Sequence, residues 1–283
     1  MTAPLLSVVV PTRDRTDLLL PCLARLEPAF QSLDPAAYEV IVTDDGDTST
    51  TRDAVAGKAG VRWTAGPRRG PAANRNNGAR VARGEFLVFI DDDCLPDRDT
   101  LRAYAGVTSD GADVYEGRVT VRDGITTPCQ TAPLNLEGGA LWSCNLAISR
   151  AAFEALGGFD ERYPLPHMED VDFRERLRAA GMTVRFVPEA SVDHPPRRLP
   201  WGWRLARMHR ATMLYMVLHP PVQSLPWFLQ NQLRARVSRI VRMPKSRDSL
   251  IALSSVPFEL AAIAWHWRGW KAWARAITGA AAR

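Results

Sequence analysis

The chain has 283 residues, 46% of them hydrophobic and 24% charged, so it can bury a substantial core as one large domain or one and a half. Its four cysteines are scattered without a CxxC pair, which argues against a disulfide framework and is typical of core or free thiols in a reducing, cytoplasmic setting. The first thirty residues lack a basic segment followed by a long apolar one, so we expect no signal peptide.

The net charge of +5 hides a strong asymmetry along the chain. Residues 1–196 contain 21 Lys and Arg against 29 Asp and Glu, whereas residues 197–283 contain 15 against 2. Seven of the nine tryptophans also follow position 197. We therefore expect two chemically different parts: a domain over 1–196 and a basic, tryptophan-rich helical extension over 197–283.

Strand and helix patterns alternate four times in the first part of the chain, which is typical of a parallel sheet with right-handed crossovers. The strand predictions rest on apolar, β-branched runs and the helix predictions on apolar residues at helical spacing. Strands are predicted at 7–10 (ended by Pro11), 38–42, 61–63 and 86–90, with helices at 16–29, 49–58 and 70–83. The chain after residue 110 is less regular, with strands predicted at 113–121, 141–149 and 183–187 and helices at 151–156 and 169–180.

The strand at 86–90 is the most informative stretch, because five apolar residues run directly into Asp91, Asp92 and Asp93. Such a run is typical of a strand buried on both faces, and ligands of open α/β sheets bind just beyond the carboxyl ends of these strands. In an extended segment Asp91 and Asp93 point the same way, with Asp92 pointing away. Two converging carboxylates suit Mg²⁺ or Mn²⁺ held together with substrate phosphates. The alternative is an acidic turn or a helix N-cap.

Asp44 and Asp45 end the second apolar strand and therefore lie on the same rim of the predicted sheet. A carboxylate there can accept hydrogen bonds from a nucleotide base or from ribose hydroxyls, or the pair can simply shape a turn. Arg68, Arg69 and Arg75 precede the carboxylate strand, and cations beside carboxylates suit a metal-bridged diphosphate. A solvated basic surface would give the same pattern. The glycines around these arginines match no phosphate-loop spacing.

The acidic residues at 169, 170 and 172 begin the last predicted helix, where acidic residues commonly serve as caps. Three acidic residues in four positions exceed what a cap needs, so one of them can be a general base. His194 lies in a loop before two prolines, and a neutral imidazole there can complete the coordination of a metal held by Asp93.

Six motifs, taken in order, resemble the family 2 glycosyltransferases, which are inverting enzymes with the GT-A fold. Each motif is weak alone, but together they occur in register over about two thirds of the chain. They are SVVVPT (7–12), VTDDG (42–46), GPAANRNNG (70–78), FIDDD (89–93), CNLAISR (144–150) with GGFD (157–160), and EDVD (169–172) followed by Arg176, Leu177 and His194.

The resemblance implies a GT-A-type, Rossmann-like, mostly parallel central sheet flanked by helices, with a helical C-terminal extension. The catalytic domain would divide into a nucleotide-sugar half over about 1–110 and an acceptor half over about 111–196. A nucleotide sugar, with UDP-sugars favoured, is the implied donor. The residues expected to contact it are Pro11, Thr12, Arg13, Asp44, Asp45, Arg75, Asp91 and Asp92.

The remaining implied roles concern the metal and the acceptor. Mg²⁺ or Mn²⁺ would be held by Asp91, Asp93 and His194, as in the DxD motif of the family. Asp170 matches the base that removes a proton from the acceptor hydroxyl as it attacks the anomeric carbon in line, which inverts the configuration. A glycan or lipid-linked acceptor would meet Trp142, Asn145 and Glu169. Two departures, Asp47 and the His167-Met168 pair, replace residues that are usually small in the family, so acceptor recognition can differ.

The family resemblance fades after residue 197, where arginines alternate with apolar and tryptophan-rich segments. Amphipathic helices of this composition lie in the membrane interface, so we expect the extension to bind an anionic membrane surface at the inner face of the cell membrane. The apolar stretch 250–265, interrupted by Pro257 and Glu259, is shorter than a spanning helix requires. Packing of these helices on the catalytic domain or on a partner subunit is the alternative. No nucleic-acid-binding motif occurs, so no nucleic acid is expected as a partner.

Three other functions fit parts of the sequence. An inactive, membrane-docked scaffold that binds a sugar nucleotide would share every feature except catalysis. A haloacid-dehalogenase-like phosphatase is suggested by the DGDT sequence at 45–48, but it leaves the acidic run at 91–93 unexplained. A P-loop NTPase is disfavoured because GxxxxGK[ST] does not occur.

Overall fold

The computed structural model describes residues 3–47 and 50–279. Over these residues the chain forms two compact units, which we call the sheet unit and the helical unit. The sheet unit consists of Met1–Arg122, Pro133–Pro164 and Glu169–Pro195, and the helical unit consists of Asp123–Ala132, Leu165–Met168 and Pro196–Arg283. Two short segments before residue 196 thus belong to the helical unit.

Ten strands and ten α-helices are present in the described residues. The strands are β1 (Leu6–Thr12), β2 (Tyr38–Asp44), β3 (Val61–Ala65), β4 (Phe86–Ile90), β5 (Leu95–Pro96), β6 (Val114–Thr120), β7 (Gln130–Thr131), β8 (Asn145–Ser149), β9 (Val184–Asp193) and β10 (Arg197–Arg198). The helices are α1 (Thr16–Leu26), α2 (Thr50–Val55), α3 (Pro71–Val81), α4 (Thr100–Ala105), α5 (Arg150–Ala155), α6 (Glu169–Ala179), α7 (Gly202–Ala206), α8 (His209–Leu218), α9 (Leu225–Arg242) and α10 (Arg247–Thr278).

The sheet unit is built on an eight-stranded sheet with the order β3-β2-β1-β4-β8-β6-β9-β5. The pairs β3-β2, β2-β1 and β1-β4 are parallel, as is β6-β9, while β8 is antiparallel to both β4 and β6. Six strands therefore run in one direction and only β8 and β5 are reversed. The predicted mostly parallel sheet is confirmed, and it brings the carboxyl ends of β1, β2, β4, β6 and β9 to one edge.

The central strands are buried on both faces, as the apolar run of β4 predicted. Val88 and Ile90 belong to one apolar cluster with residues of α1, whereas Leu87 and Phe89 belong to a second cluster with residues of α3 and α5. Alternate side chains of a strand point to opposite faces, so an unbroken apolar strand needs a covering layer on each side. The helices supply both layers.

Several boundaries in the sheet unit differ from the sequence prediction; for example, β8 begins at Asn145 and not at 141, and β9 continues to Asp193 and not only to 187. Pro11 does not end β1, because a parallel register continues from Pro11 paired with Thr43 to the last pair, Thr12 with Asp44. Proline lacks only the N–H of its own residue, so the strand can continue. The helix predicted at 49–58 is observed as α2, which covers Thr50–Val55. Its predicted first residue, Ser49, lies outside the described residues.

The helical unit contains a two-stranded antiparallel sheet, β7 with β10, and the helices α7 to α10. Helix α10 packs against α7, α8 and α9. It is 32 residues long and continues through Pro257, so the expectation that this apolar stretch is too short to span a membrane is wrong. Within the described part of the chain, α10 is one helix whose length and composition would allow it to cross a membrane.

Candidate active site

The candidate site lies at the edge of the sheet where the parallel strands end. Thr12 ends β1, Asp44 ends β2 and Asp91 follows β4, so these residues come together because their strands are neighbours in the order β2-β1-β4. His194 directly follows β9, which runs in the same direction. Ligands of open α/β sheets bind at this edge.

Asp93 and His194 form a buried pair at this edge. The Nε2 atom of His194 lies 3.5 Å from Oδ1 of Asp93, and both side chains are almost fully buried. The Nδ1 atom of His194 lies 2.9 Å from the carbonyl oxygen of Pro195, which can only accept a hydrogen bond. Nδ1 therefore carries the proton, and in a neutral imidazole the Nε2 lone pair faces the carboxylate.

A buried thiol completes the cluster of metal-ligating atom types around this pair. One ligand atom each from Asp93, Cys94 and His194 lies within 4.8 Å of the others. Burial raises the pKa of the Cys94 thiol well above its usual range, and the thiol donates to the carbonyl of Cys144. Carboxylate oxygen and imidazole nitrogen suit Mn²⁺, whereas a protonated thiol does not bind a hard cation. The four cysteines are all free and buried, as the sequence predicted.

The three carboxylates after β4 do not continue the extended strand. The chain turns at Asp92 and Asp93, with Cys94 N donating to Asp91 O over 3.0 Å, so the alternating side-chain directions of a strand do not apply there. Each carboxylate instead has its own partner. Asp91 contacts Arg75, while Asp93 faces His194.

The side chain of Asp92 is fully buried, with 0% exposure. Its Oδ2 accepts a 2.6 Å hydrogen bond from the Thr12 hydroxyl and a 3.1 Å bond from Nε of Arg15, and its Oδ1 pairs with Nη2 of Arg15. Burial raises the pKa of Asp92 to about 7, while Arg15 and Thr12 oppose that shift. This carboxylate therefore joins β1 to the turn after β4, while Asp91 pairs with Arg75 and Asp93 faces His194.

Arg15 is a residue of the candidate site that the sequence analysis missed. Besides its two bonds to Asp92, its Nη1 lies 3.6 Å from Oδ2 of Asp93. One guanidinium thus compensates two of the three adjacent carboxylates, which would otherwise repel one another. No spacing rule connects a loop arginine with carboxylates far along the chain, so only the fold could reveal the contact.

Arg75 is a buried cation between the two acidic parts of the site. Its Nη2 donates to Oδ1 of Asp91 over 2.6 Å, and its Nη1 lies 3.2 Å from Oε1 of Glu169. It comes from α3, a helix of small residues whose buried side includes Ala72, Ala73 and Gly78. Although burial disfavours a charge, Asp91 and Glu169 outweigh it and raise the pKa of Arg75. The guanidinium remains charged and holds the two carboxylates in place.

Glu169 and Asp170 begin α6 on the other side of Arg75. Burial raises the pKa of Glu169 to about 8, helped by the charge of Asp170 and opposed by Arg75. Burial also raises the pKa of Asp170, and Asp91 adds to the shift while Arg75 opposes it. Carboxylates with raised pKa values beside a cation are typical of general bases.

Asp44, Asp45 and Asn74 shape the rim beside β1 and β2. Both oxygens of Asp45 accept from the backbone, from Arg68 N at 2.8 Å and Gly70 N at 3.0 Å, so Asp45 holds the loop that leads into α3. Asp44 accepts from Gly46 N at 2.8 Å. The side chain of Asn74 donates to the Thr12 and Thr43 carbonyls, which ties the ends of both strands together.

Two glycines that the sequence analysis left without a role are required by this loop. A Cβ atom at Gly66 would collide with the carboxylate of Asp45 and with the side chain of Asn74. Gly70 has a φ of +99°, and a Cβ there would lie 2.6 Å from the Pro164 carbonyl oxygen. The signal in the sequence was the presence of glycines beside the acidic rim, but their function is close packing of the backbone and not phosphate binding.

The residues predicted on the acceptor side differ in how exposed their side chains are to solvent. Asn145 is almost fully buried: its Oδ1 accepts from Tyr104, and its Nδ2 donates to the Arg118 and Ala190 carbonyls. It is therefore a structural residue of the sheet. Trp142 is partly exposed, and its Nε1 donates to the Leu134 carbonyl.

A buried carboxylate that the sequence analysis also missed supports the loop that contains Trp142. Glu116 on β6 accepts from Gly139 N at 2.5 Å and from Leu141 N at 3.0 Å. It also accepts from Asn135 Nδ2 at 3.1 Å. The loop 135–141 is therefore pre-formed around Glu116.

The fold of this chain resembles those of two solved glycosyltransferase-fold structures. It resembles mannosyltransferase PcManGT from Pyrobaculum calidifontis, solved in complex with GDP-Man and Mn²⁺, with a TM-score of 0.56 and 20% identity over all of this chain and 77% of that one. It also resembles residues 1–349 of Staphylococcus aureus TarS, with a TM-score of 0.57 and 17% identity over 94% of this chain and 87% of that one. The expected GT-A-type fold is confirmed.

The sequence comparison identifies the family. The profile of glycosyl transferase family 2 matches residues 7–157, just over half of the chain, and a profile described as the N-terminal domain of galactosyltransferase matches residues 127–196. The chain belongs to glycosyltransferase family 2, as its motifs predicted.

Curated relatives share parts of this chain. Validoxylamine A glucosyltransferase of Streptomyces hygroscopicus subsp. limoneus is 27% identical over 240 aligned positions, which cover 69% of this chain and 52% of that protein. N-acetylglucosaminyl-diphospho-decaprenol L-rhamnosyltransferase of Mycobacterium tuberculosis (strain ATCC 25618 / H37Rv) is 38% identical over 113 positions, covering 38% of this chain and 36% of that protein. The chain spans about half the length, or less, of these relatives.

Proposed function

We propose that this protein is an inverting, metal-dependent glycosyltransferase that moves a sugar from a nucleotide-sugar donor to a hydroxyl of a glycan or lipid-linked acceptor. The observation that carries the proposal is the placement of Arg75 between Asp91, which follows the central strand, and Glu169, which precedes the candidate base. Family membership and the names of the relatives support the same reaction class.

The donor nucleotide would bind along the rim formed by the ends of β1 and β2. Pro11, Thr12 and Arg13 end or follow β1, and Asp44 ends β2 beside them. The proposed direct contacts are to Arg13 and Asp44, with Asp45 shaping the adjacent loop and Asp92 fixing Thr12. UDP-sugars are favoured among the donors, and a solved TarS structure contains UDP.

The residues present fit a divalent cation, Mg²⁺ or Mn²⁺. Asp93 and His194 would hold it, with Asp91 on the side of the diphosphate, because a carboxylate oxygen and an imidazole nitrogen already face each other across 3.5 Å. When bound, such a cation supplies charge stabilisation for the departing diphosphate. Arg75 adds a fixed positive charge beside Asp91, where the leaving group would develop negative charge.

Asp170 is the proposed base. Its carboxylate would accept the proton of the acceptor hydroxyl while that oxygen forms the bond to the anomeric carbon and the nucleotide diphosphate leaves from the opposite face. The raised pKa of Asp170 increases its strength as a base relative to an exposed carboxylate. Glu169, held by Arg75, would orient the acceptor together with Trp142.

The helical unit is proposed to attach the protein to the inner face of the cell membrane. One side of α10 leaves large apolar residues exposed, namely Leu250, Leu253, Phe258 and Trp265. The opposite side buries Glu259 in an ion pair with Arg236 of α9. A helix that is apolar on one side and packed through charged groups on the other fits the membrane interface better than the bilayer core. An anionic surface complements the 15 basic residues after position 196.

Thermal unfolding with UDP, GDP, dTDP and CDP, each with and without Mn²⁺, tests the donor and metal assignments. A ligand at a hundredfold excess over its Kd stabilises the folded state by about 2.7 kcal/mol, which gives a measurable shift in Tm. We expect one nucleotide to shift the Tm only with Mn²⁺, and Asp93→Ala to remove that shift. Asp97→Ala, which changes an exposed carboxylate paired with Arg122, is the matched control. Equal shifts with and without Mn²⁺ would contradict the metal assignment.

A turnover measurement distinguishes the proposed transferase from an inactive scaffold that only binds a sugar nucleotide. A protein that shows the Mn²⁺-dependent shift but releases no nucleotide diphosphate from any donor, in the presence of membrane lipid extract as the acceptor source, would be a binder and not a transferase. Membership of the family favours the enzyme, and so does the presence of an aspartate at position 170, where the resemblance implies the base.

A further inference from the structure

A partly open cavity of about 180 Å³ lies within the helical unit and has no role in the proposed transfer reaction. Its wall is mostly apolar and comes from the segment before β7, from β10 and the loop after it, and from α7, α9 and α10. The main apolar lining residues are Leu199, Trp201, Leu205, Ile240, Ile251 and Ala252. An engineered cavity of roughly 150 Å³ accepts benzene, so this space can hold a small headgroup with a few carbons.

Three guanidinium groups line this cavity together with the Glu259 carboxylate and the Ser255 hydroxyl, and two of the three guanidinium groups are paired. Arg236 makes two hydrogen bonds to Glu259, at 2.9 and 3.1 Å, and Arg198 lies 3.4 Å from Asp248. Arg239 donates from Nη2 to the Gln130 carbonyl, but across residues 3–47 and 50–279 it makes no ion pair with a carboxylate.

The Nε–H of Arg239 is also left without a hydrogen-bond partner among the described residues, although it is buried. Burial and the neighbouring charge of Arg236 lower the pKa of Arg239, so the surroundings disfavour this cation as they stand. A buried N–H without an acceptor costs free energy, and the partly buried charge of Arg239 without a counter-ion adds to that cost. An anion in the cavity would relieve both costs.

The surroundings of the cavity indicate what carries that anion. The ring of Trp201, which lines the cavity, packs 4.8 Å from the ring of Phe258 on the exposed apolar side of α10. Ile251 and Ala252 line the cavity, while their neighbours Leu250 and Leu253 are exposed. A free anion would gain nothing from an apolar wall, whereas an amphiphile would place its charge at Arg239 and its chain along the wall towards that side of α10.

We propose that this cavity binds the phosphate headgroup of a phosphomonoester lipid, with Arg239 as its anion-binding group. The site does not depend on the transfer reaction, because none of its residues belongs to the candidate active site. It would let the helical unit select a particular lipid rather than negative charge in general.

Calorimetric titration of the full chain with monododecyl phosphate, kept below its micelle concentration, tests this proposal. We expect saturable binding to one site, with Arg239→Gln weakening it about tenfold or more, because hydrogen bonds to charged groups contribute that much. Arg234→Gln on the same helix, an exposed arginine that does not line the cavity, is the matched control and should stay within twofold. Equal weakening in both variants would mean diffuse surface attraction and would overturn the proposal.

A second variant covers the case in which Arg239→Gln does not fold. Ala252→Leu fills the cavity and leaves Arg239 in place, so it should also weaken monododecyl phosphate about tenfold. Unchanged binding in this variant would exclude the cavity as the site. Inorganic phosphate and dodecyl maltoside complete the test, because each carries only one half of the proposed ligand. If inorganic phosphate binds as tightly as monododecyl phosphate, the site is for a free anion and not for a lipid.

Discussion

Arg75 donates to Asp91 over 2.6 Å and connects the end of the central strand to the beginning of α6 through the same guanidinium. Its second contact, to Glu169, makes it a bridge between the proposed donor side and the residue that precedes the proposed base. A planar guanidinium can hold two carboxylates at fixed positions at once, which an ammonium group cannot do.

Arg75→Lys should therefore lower the rate of sugar transfer about 100-fold, because misplacement of reacting groups by about 1 Å costs that much. The charge is kept, so the loss would arise from geometry. Initial rates with a saturating donor measure it. Arg80→Lys, an exposed position on the same helix, should change the rate less than twofold. A rate for Arg75→Lys close to that of the wild type would show that the bridge is not needed.

His194→Ala should raise the Mn²⁺ concentration required for half-maximal activity at least tenfold, because one of two facing ligand atoms is removed. The nucleotide concentration dependence at saturating Mn²⁺ should change much less. His266→Ala, an exposed histidine on α10, controls for loss of an imidazole. An unchanged Mn²⁺ requirement in His194→Ala would remove this residue from the proposed metal site.

Asp170→Asn should leave nucleotide binding intact and lower kcat by about 10² to 10⁴, the usual contribution of a general base. The pKa of Asp170 is raised, so in the wild type the base becomes protonated, and inactive, at a higher pH than an exposed aspartate. The acidic limb of the kcat/KM profile should therefore lie above pH 3.8, the ordinary value for the group. Glu175→Gln on the same helix should preserve both rate and profile. An Asp170→Asn enzyme with wild-type kcat would require another base.

Glu259→Gln should destabilise the helical unit by about 3 to 5 kcal/mol, because it leaves Arg236 buried without its counter-ion. Burial acts to raise the pKa of Glu259, but the hydrogen bonds from His209 and Arg236 outweigh it and lower the pKa. A carboxyl with a lowered folded-state pKa stabilises the protein above its unfolded value near 4.5, and this stabilisation is lost as the pH falls through the folded value.

Urea unfolding at several pH values measures this effect. The difference between wild type and Glu259→Gln should be largest at neutral pH and shrink in acid. Asp248→Asn removes a carboxylate paired with the exposed Arg198 and should cost less than about 1 kcal/mol. Similar losses for the two variants would mean that the buried pair has no special role.

Leu253→Ser combined with Phe258→Ser should weaken binding to anionic liposomes about tenfold, because both side chains are more than half exposed on the apolar side of α10. Cosedimentation with vesicles of phosphatidylglycerol and phosphatidylcholine measures it. Leu18→Ser, an exposed leucine of the sheet unit, should bind as the wild type does. If the double variant sediments like the wild type, α10 does not form the proposed membrane-binding surface.

The parts of the fold that the local pattern could predict are the strands of the central sheet other than the short β5. Strand β4 was predicted residue for residue at Phe86–Ile90, because a short unbroken apolar run after a helical pattern has few other solutions. Helix α10 was not predicted as one continuous helix, because Pro257 suggested an interruption. Its packing against α7, α8 and α9 stabilises one continuous helix, and that packing is not encoded in any short window.

The sequence by itself determined that carboxylates would follow a buried parallel strand, that an acidic segment would begin a later helix, and that the last third of the chain would be basic. These features depend on residues that are near one another in the chain. Only the tertiary structure decided that Arg15 would compensate Asp92, that His194 would face Asp93, and that Arg239 would lie in a mostly apolar cavity without a counter-ion among the described residues. Such pairings depend on strand order and helix packing, because many distant partners are equally compatible with the local sequence until the whole core has formed.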